Sequence, residues 1–145
     1  IVFIVGLLVL AGCSNQKSTG DSQGEEITIF KSSSCGCCGL YSEYMEKKGF
    51  KVNVEETEEM NRIKSEFGVP GQIQSCHTTK IGDYFVEGHV PVEAIEKLLT
   101  EKPDIAGIAL PNMPSGTPGM PGRKTQPWII YAVDYNGDYN EFMTI

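Results

Sequence analysis

Strand-like and helix-like apolar patterns alternate along most of this chain, and that rhythm restricts the fold more than any single residue. Ile27, Ile29 and Phe30 read as a short strand. The serines and the cysteine run after it read as loop, and a helix should begin at or within that run. Leu40, Tyr41, Tyr44, Met45 and Lys48 fit one helical face, and Gly49 ends it. Residues 50–56 alternate as a second strand. Thr57 is placed to cap a second helix, with Met60, Ile63 and Phe67 at i, i+3 and i+7. Gly68 closes that helix and Pro70 prevents its continuation. Glu55, Glu56, Glu58 and Glu59 read as a solvated helix start.

The second half begins with a hairpin pattern around Ile81-Gly82-Asp83. A helix follows with Pro91 at its first position and Ala94, Ile95, Leu98 and Leu99 as its apolar stripe, stopping at Pro103. A Gly/Pro-rich loop comes next, long enough to suggest function. The C-terminus is two alternating runs around Asn136-Gly137, the strongest local hairpin signal. Strand–helix alternation followed by an antiparallel pair fits an α/β thioredoxin-like mixed sheet flanked by helices. We expect the terminal hairpin to complete the core sheet, with residues 71–122 largely inserted as a hairpin, helix and loop. Pro127 would then stand at the cis-proline position of that fold, with Pro70 as its rival. The 145 residues suit one such domain, spanning 26–145.

The N-terminus reads differently. The first ten residues are wholly apolar but too few to span a bilayer, which takes about 20. They fit the core of a secretory signal over residues 1–12 whose start is truncated, since it has no initiator Met or basic residues. Leu10-Ala11-Gly12-Cys13 resembles a bacterial lipobox, in which the chain is cut before the cysteine and its sulfur is lipidated. A polar tether occupies residues 13–25. The expectation is an exported lipoprotein, membrane-anchored through Cys13 at the cell envelope. The net charge of −7 offers no basic stripe for phosphates, so nucleic acid is not expected as a partner.

Four cysteines remain for the domain: Cys35, Cys37, Cys38 and Cys76. In an oxidising compartment two disulfides are the default, and Cys35–Cys38 with Cys37–Cys76 satisfies it. Neighbours Cys37 and Cys38 bridge only through a strained ring. A run at a helix N-terminus instead favours thiolates, because free N–H groups and the helix dipole stabilise negative charge. Three gathered thiolates repel one another unless protons, a disulfide or a cation intervenes. Copper(I) prefers such soft ligands, and bridging sulfurs can hold several ions in a polynuclear cluster. Zinc or an iron–sulfur centre suits adjacent cysteines less well, since zinc wants four ligands aimed at one point. His77, His89, Met113 and Met120 are candidate additional ligands. His77 joins Cys76 only if the backbone between them is irregular, because in a strand they face opposite sides. Met45, Met60 and Met143 read as packing residues. The alternative is a thiol–disulfide oxidoreductase in which Cys35 attacks and Cys38 resolves. A hybrid, cycling electrons to change the copper oxidation state, is also open.

Five segments taken together carry a resemblance: "CGCC" at 35–38, "GVP" at 68–70, "SCHT" at 75–78, "EGHVP" at 87–91 and "MPSGTPGM" at 113–120. In this order and spacing the chain resembles the CopG-type family of small exported copper- and metal-binding proteins associated with bacterial copper resistance. The resemblance implies a thioredoxin-like fold with copper held by Cys35, Cys37, Cys38 and Cys76. It implies sequestration, resistance or redox handling of copper at the envelope, with copper-transport or redox proteins as partners. The chain departs from the family pattern at Tyr41, Asn112 and Pro121, none of which is a sulfur ligand.

Overall fold

A computed structural model describes residues 24–145. Cys13, the signal and nearly all of the tether lie outside the described residues. Eleven elements follow one another: β1 (Glu26–Lys31), α1 (Gly36–Lys47), β2 (Lys51–Glu56), α2 (Met60–Glu66), a 3₁₀ turn (Gly71–Ile73), β3 (Thr78–Ile81), β4 (Tyr84–Glu87), α3 (Val92–Glu101), β5 (Gly107–Ala109), β6 (Ile129–Val133) and β7 (Tyr139–Thr144). The strands form one seven-stranded mixed sheet in the order β2-β1-β3-β4-β5-β6-β7. β1 pairs parallel with β2 and antiparallel with β3, and β4 pairs parallel with β5.

The first four strands and three helices make the thioredoxin-like unit, and the middle hairpin completes it. This corrects the expectation that the terminal hairpin would do so. β3 lies beside β1, with Ile27 opposite Ile81 and Ile29 opposite Thr79. The terminal hairpin instead extends the far edge through β5. The turn signal at Asn136-Gly137 is the stronger one, but β3 and β4 are buried almost throughout, as strands inside a sheet are, whereas β7 is largely exposed. No peptide bond among the described residues is cis, so neither Pro127 nor Pro70 takes the cis-proline role.

Each sheet face has its own core, as period-2 alternation requires. Ile27, Ile29, Val86, Ile108 and Ile130 pack with Tyr41 and Met45 of α1 and Ile95 and Leu98 of α3. Phe85, Ala109 and Val133 point the other way, onto Val69 and Ile73 near α2. Gly49 ends α1 as its pattern demands, with φ +97°. Smaller differences are local. Pro91 caps α3 rather than opening it. Met60 is only half-buried. Glu55 and Glu56 belong to β2, whereas Glu58 accepts hydrogen bonds from the Ser32 and Ser33 hydroxyls.

Candidate metal centre

α1 starts inside the cysteine run. Cys35 is its N-cap, with Cys37 and Cys38 in the first turn. Cys38 is fully buried, and Cys35 and Cys37 are half-buried. Their sulfurs therefore gather at the positive end of the helix. Cys35 and Cys38 are joined as a disulfide, while Cys37 and Cys76 are free thiols. The second bridge of the two-disulfide default is not formed. The Cys37 sulfur lies 3.6 Å from that of Cys35.

Cys76 comes from the far side of the sequence. It lies between the 3₁₀ turn and β3, where the backbone is irregular. That irregularity meets the condition for His77 to join it: the Cys76 sulfur is 3.3 Å from His77 Nδ1. It is also 3.0 Å from His89 Nε2. Two ligand groups overlap as a result. Cys35, Cys37, Cys38 and Cys76 have their sulfurs within 4.8 Å of one another, and so do the ligand atoms of Cys38, Cys76, His77 and His89.

Hydrogen bonding assigns the His89 tautomer. Its Nδ1–H donates to the Pro118 carbonyl at 2.6 Å, leaving the Nε2 lone pair turned toward Cys76. Burial lowers the pKa of His89, and burial with the neighbouring His89 and Lys64 lowers that of His77. Both rings are therefore neutral and able to ligate. His77 Nε2 is buried without a hydrogen-bond partner. Tyr41 fixes the rings from the α1 side: its ring centroid is 4.6 Å from that of His77 and 5.4 Å from that of His89. Its hydroxyl donates to the Val90 carbonyl at 2.9 Å. Burial, and then the nearby Cys37, push the Cys76 thiol up to about 12.

These shifts set a pH window for the metal-free protein. The histidines resist protonation in the folded state, so stability falls as pH drops below about 6.5, where the unfolded chain gains protons. Cys76 resists ionisation, so stability also falls as pH rises above about 8.5, where the unfolded thiol ionises. Denaturant midpoints measured across pH should peak between the two. A midpoint rising steadily down to pH 5 would contradict the buried neutral imidazoles.

The Gly/Pro-rich loop lies over this centre. Pro118 contributes its carbonyl, and Gly119 sits directly on the start of α1. A Cβ at Gly119 would lie 2.8 Å from both the Cys37 carbonyl and the Tyr41 nitrogen, and its φ is +80°. Gly119→Ala should therefore lift the loop and release His89 from Pro118. The expected outcome is a small loss of thermal stability with faster solvent exchange of the His89 Nδ1 proton, read by NMR. Met120 follows Gly119 and is half-buried, whereas Met113 is 39% exposed. The sequence offered no signal for Pro118, because a backbone carbonyl has none. Tyr41 was legible only as part of a helical face.

The fold has relatives among solved structures. A family described as "Protein of unknown function, DUF411" matches residues 73–120, which hold Cys76, both histidines and both loop methionines but not the cysteine run. Comparison with curated proteins gave no match. A solved structure of copper resistance protein CopG, form 2, is 35% identical, with a TM-score of 0.79 over 85% of this chain and 99% of that one. The chain belongs to the CopG family. Form 1 of the same protein matches with a TM-score of 0.78 and 35% identity over 85% of this chain and 98% of that one. The seven-stranded mixed sheet with its three helices matches the CopG fold over nearly the full length of that protein. Among the described residues of this CopG relative, no helix is long and apolar enough to cross a membrane.

Proposed function

We propose that this protein binds copper(I) on Cys35, Cys37, Cys38 and Cys76 and serves in copper sequestration, resistance or redox handling. The observation that carries the reading is four sulfurs from two distant segments, all within 4.8 Å. Adjacent Cys37 and Cys38 seldom aim at one tetrahedral ion, so once the Cys35–Cys38 bond is reduced the four sulfurs suit ions bridged by several thiolates. A polynuclear copper(I) cluster uses the adjacent Cys37 and Cys38 on different ions. His77 and His89 supply neutral nitrogens at the buried side. Met120 is better placed beside the loop–helix contact than the exposed Met113. The anchor at Cys13, the envelope location and copper-transport or redox partner proteins belong to the same proposal. Fatty-acid labelling that survives Cys13→Ala would remove the anchor from it.

Anaerobic copper(I) titration of reduced protein, with metal analysis, tests the site. At least one copper per chain is expected, with a clear loss in Cys37→Ser. Less than one per chain, or binding indifferent to Cys37→Ser, would overturn the reading.

The Cys35–Cys38 disulfide favours a second reading, a thiol–disulfide oxidoreductase. Disulfide reduction by metal-free protein that persists without Cys37 and Cys76 would support it over the copper site.

A further inference from the structure

The Cys76–His77 pair is gripped by a carboxylate that belongs to neither ligand group. Glu87 ends β4 two residues before His89 and is fully buried. Its Oε1 accepts the Ser75 backbone N–H at 2.6 Å and the Lys64 ammonium at 2.5 Å. Its Oε2 accepts the Thr78 hydroxyl at 2.6 Å, and that hydroxyl oxygen accepts from Lys64 Nζ at 3.1 Å. The two carboxylate oxygens thus hold the residues immediately before and after Cys76 and His77. Between them, the Gly88 N–H donates to the His77 carbonyl at 3.0 Å. The approach is close: a Cβ at Gly88 would lie 2.6 Å from Ser75 Oγ.

A buried ion pair is a poor source of stability, because desolvating two charges offsets much of their attraction, and apolar replacements are often neutral or better. The Lys64 and Glu87 side chains are only 5% and 0% exposed. What their contacts do supply is geometry for a stretch that has no regular structure of its own. We propose that Glu87, neutralised by Lys64, is the positioning residue that sets Cys76 and His77 against the cysteine helix. Its functional meaning rests on the copper(I) reading of the site; its structural content does not.

The test is the double variant Lys64→Met/Glu87→Leu in the full chain, reduced and kept from air. Three quantities are compared with wild type: the melting temperature of metal-free protein, the iodoacetamide alkylation rate of Cys76 mapped by mass, and copper(I) affinity by chelator competition. The expected result is a folded protein of similar melting temperature, with faster alkylation at Cys76 but not at Cys35. Its copper(I) affinity should be lower by about 10–100-fold, the usual cost of losing a group that orients a metal ligand. A folded double variant with wild-type alkylation and affinity overturns the proposal. Should it fail to fold, Thr78→Val keeps the ion pair and releases one of the two grips. Cys76 should again react faster, and an unchanged rate overturns the proposal. If wild type itself takes up no copper(I), the copper reading falls while the alkylation comparison still decides the role of Glu87.

Discussion

Cys76→Ser is expected to lower copper(I) affinity by about 100-fold or more while leaving the protein folded. Cys76 belongs to both ligand groups, the four-sulfur set and the set with His77 and His89. It is also the only sulfur in the centre that does not come from the cysteine run, so its loss unties that run from the 75–78 segment. Structural metal sites bind with about 10–16 kcal/mol spread over four ligands, so one ligand is worth on the order of 3 kcal/mol. Serine cannot replace it, because a hydroxyl is a hard, weak ligand for a soft ion. Cys37→Ser should cost less, since Cys37 belongs only to the sulfur set. The fold should tolerate Cys76→Ser, a near-isosteric change at a half-buried position outside the core, at a cost of about 1 kcal/mol or less. Chelator competition on the two variants checks the order. Equal losses, or a larger loss for Cys37→Ser, would show that the histidine side of the centre holds no metal.

Oxidation should have the second large effect. With Cys35 and Cys38 joined, only Cys37 and Cys76 remain as thiols in the described domain. Two of the four proposed sulfur ligands are then bonded to each other and cannot act as thiolates. Protein prepared oxidised should take up far less copper(I) than the same protein after reduction, and reduction should restore uptake. A thiol count run alongside should rise from two to four in this domain. Equal uptake in both states would remove Cys35 and Cys38 from the ligand set and leave Cys37, Cys76 and the histidines to account for binding. If copper(I) instead blocks reoxidation of the pair, disulfide and cluster are alternative states of one site. That outcome would join the redox and binding readings.

Much of this protein is determined by its sequence alone, because the deciding interactions are local. The apolar rhythm from Ile27 to Phe67 places β1, α1, β2 and α2 by period and punctuation. Gly49 stops α1 because it tolerates a positive φ. Asn136-Gly137 joins β6 to β7 for a similar local reason. The cysteine run lies at a helix start because strand, loop and helical face follow one another there within a few residues. Tertiary structure decided the rest. Which hairpin pairs with β1 depends on contacts across the sheet, and the strong turn signal at Asn136-Gly137 does not say where its strands dock. Cys76 and His77 share one centre only because the backbone between the 3₁₀ turn and β3 is irregular, and distant groups on Glu87 and Gly88 hold it so. The His89 tautomer is set by a carbonyl 29 residues away. Glu87 passed in the sequence only as the first residue of "EGHVP"; its partners are Lys64, Ser75 and Thr78, which no local pattern connects to it. Sequence supplied the four sulfurs and the helix that gathers three of them; folding brought Cys76 to that helix and turned the imidazoles toward it.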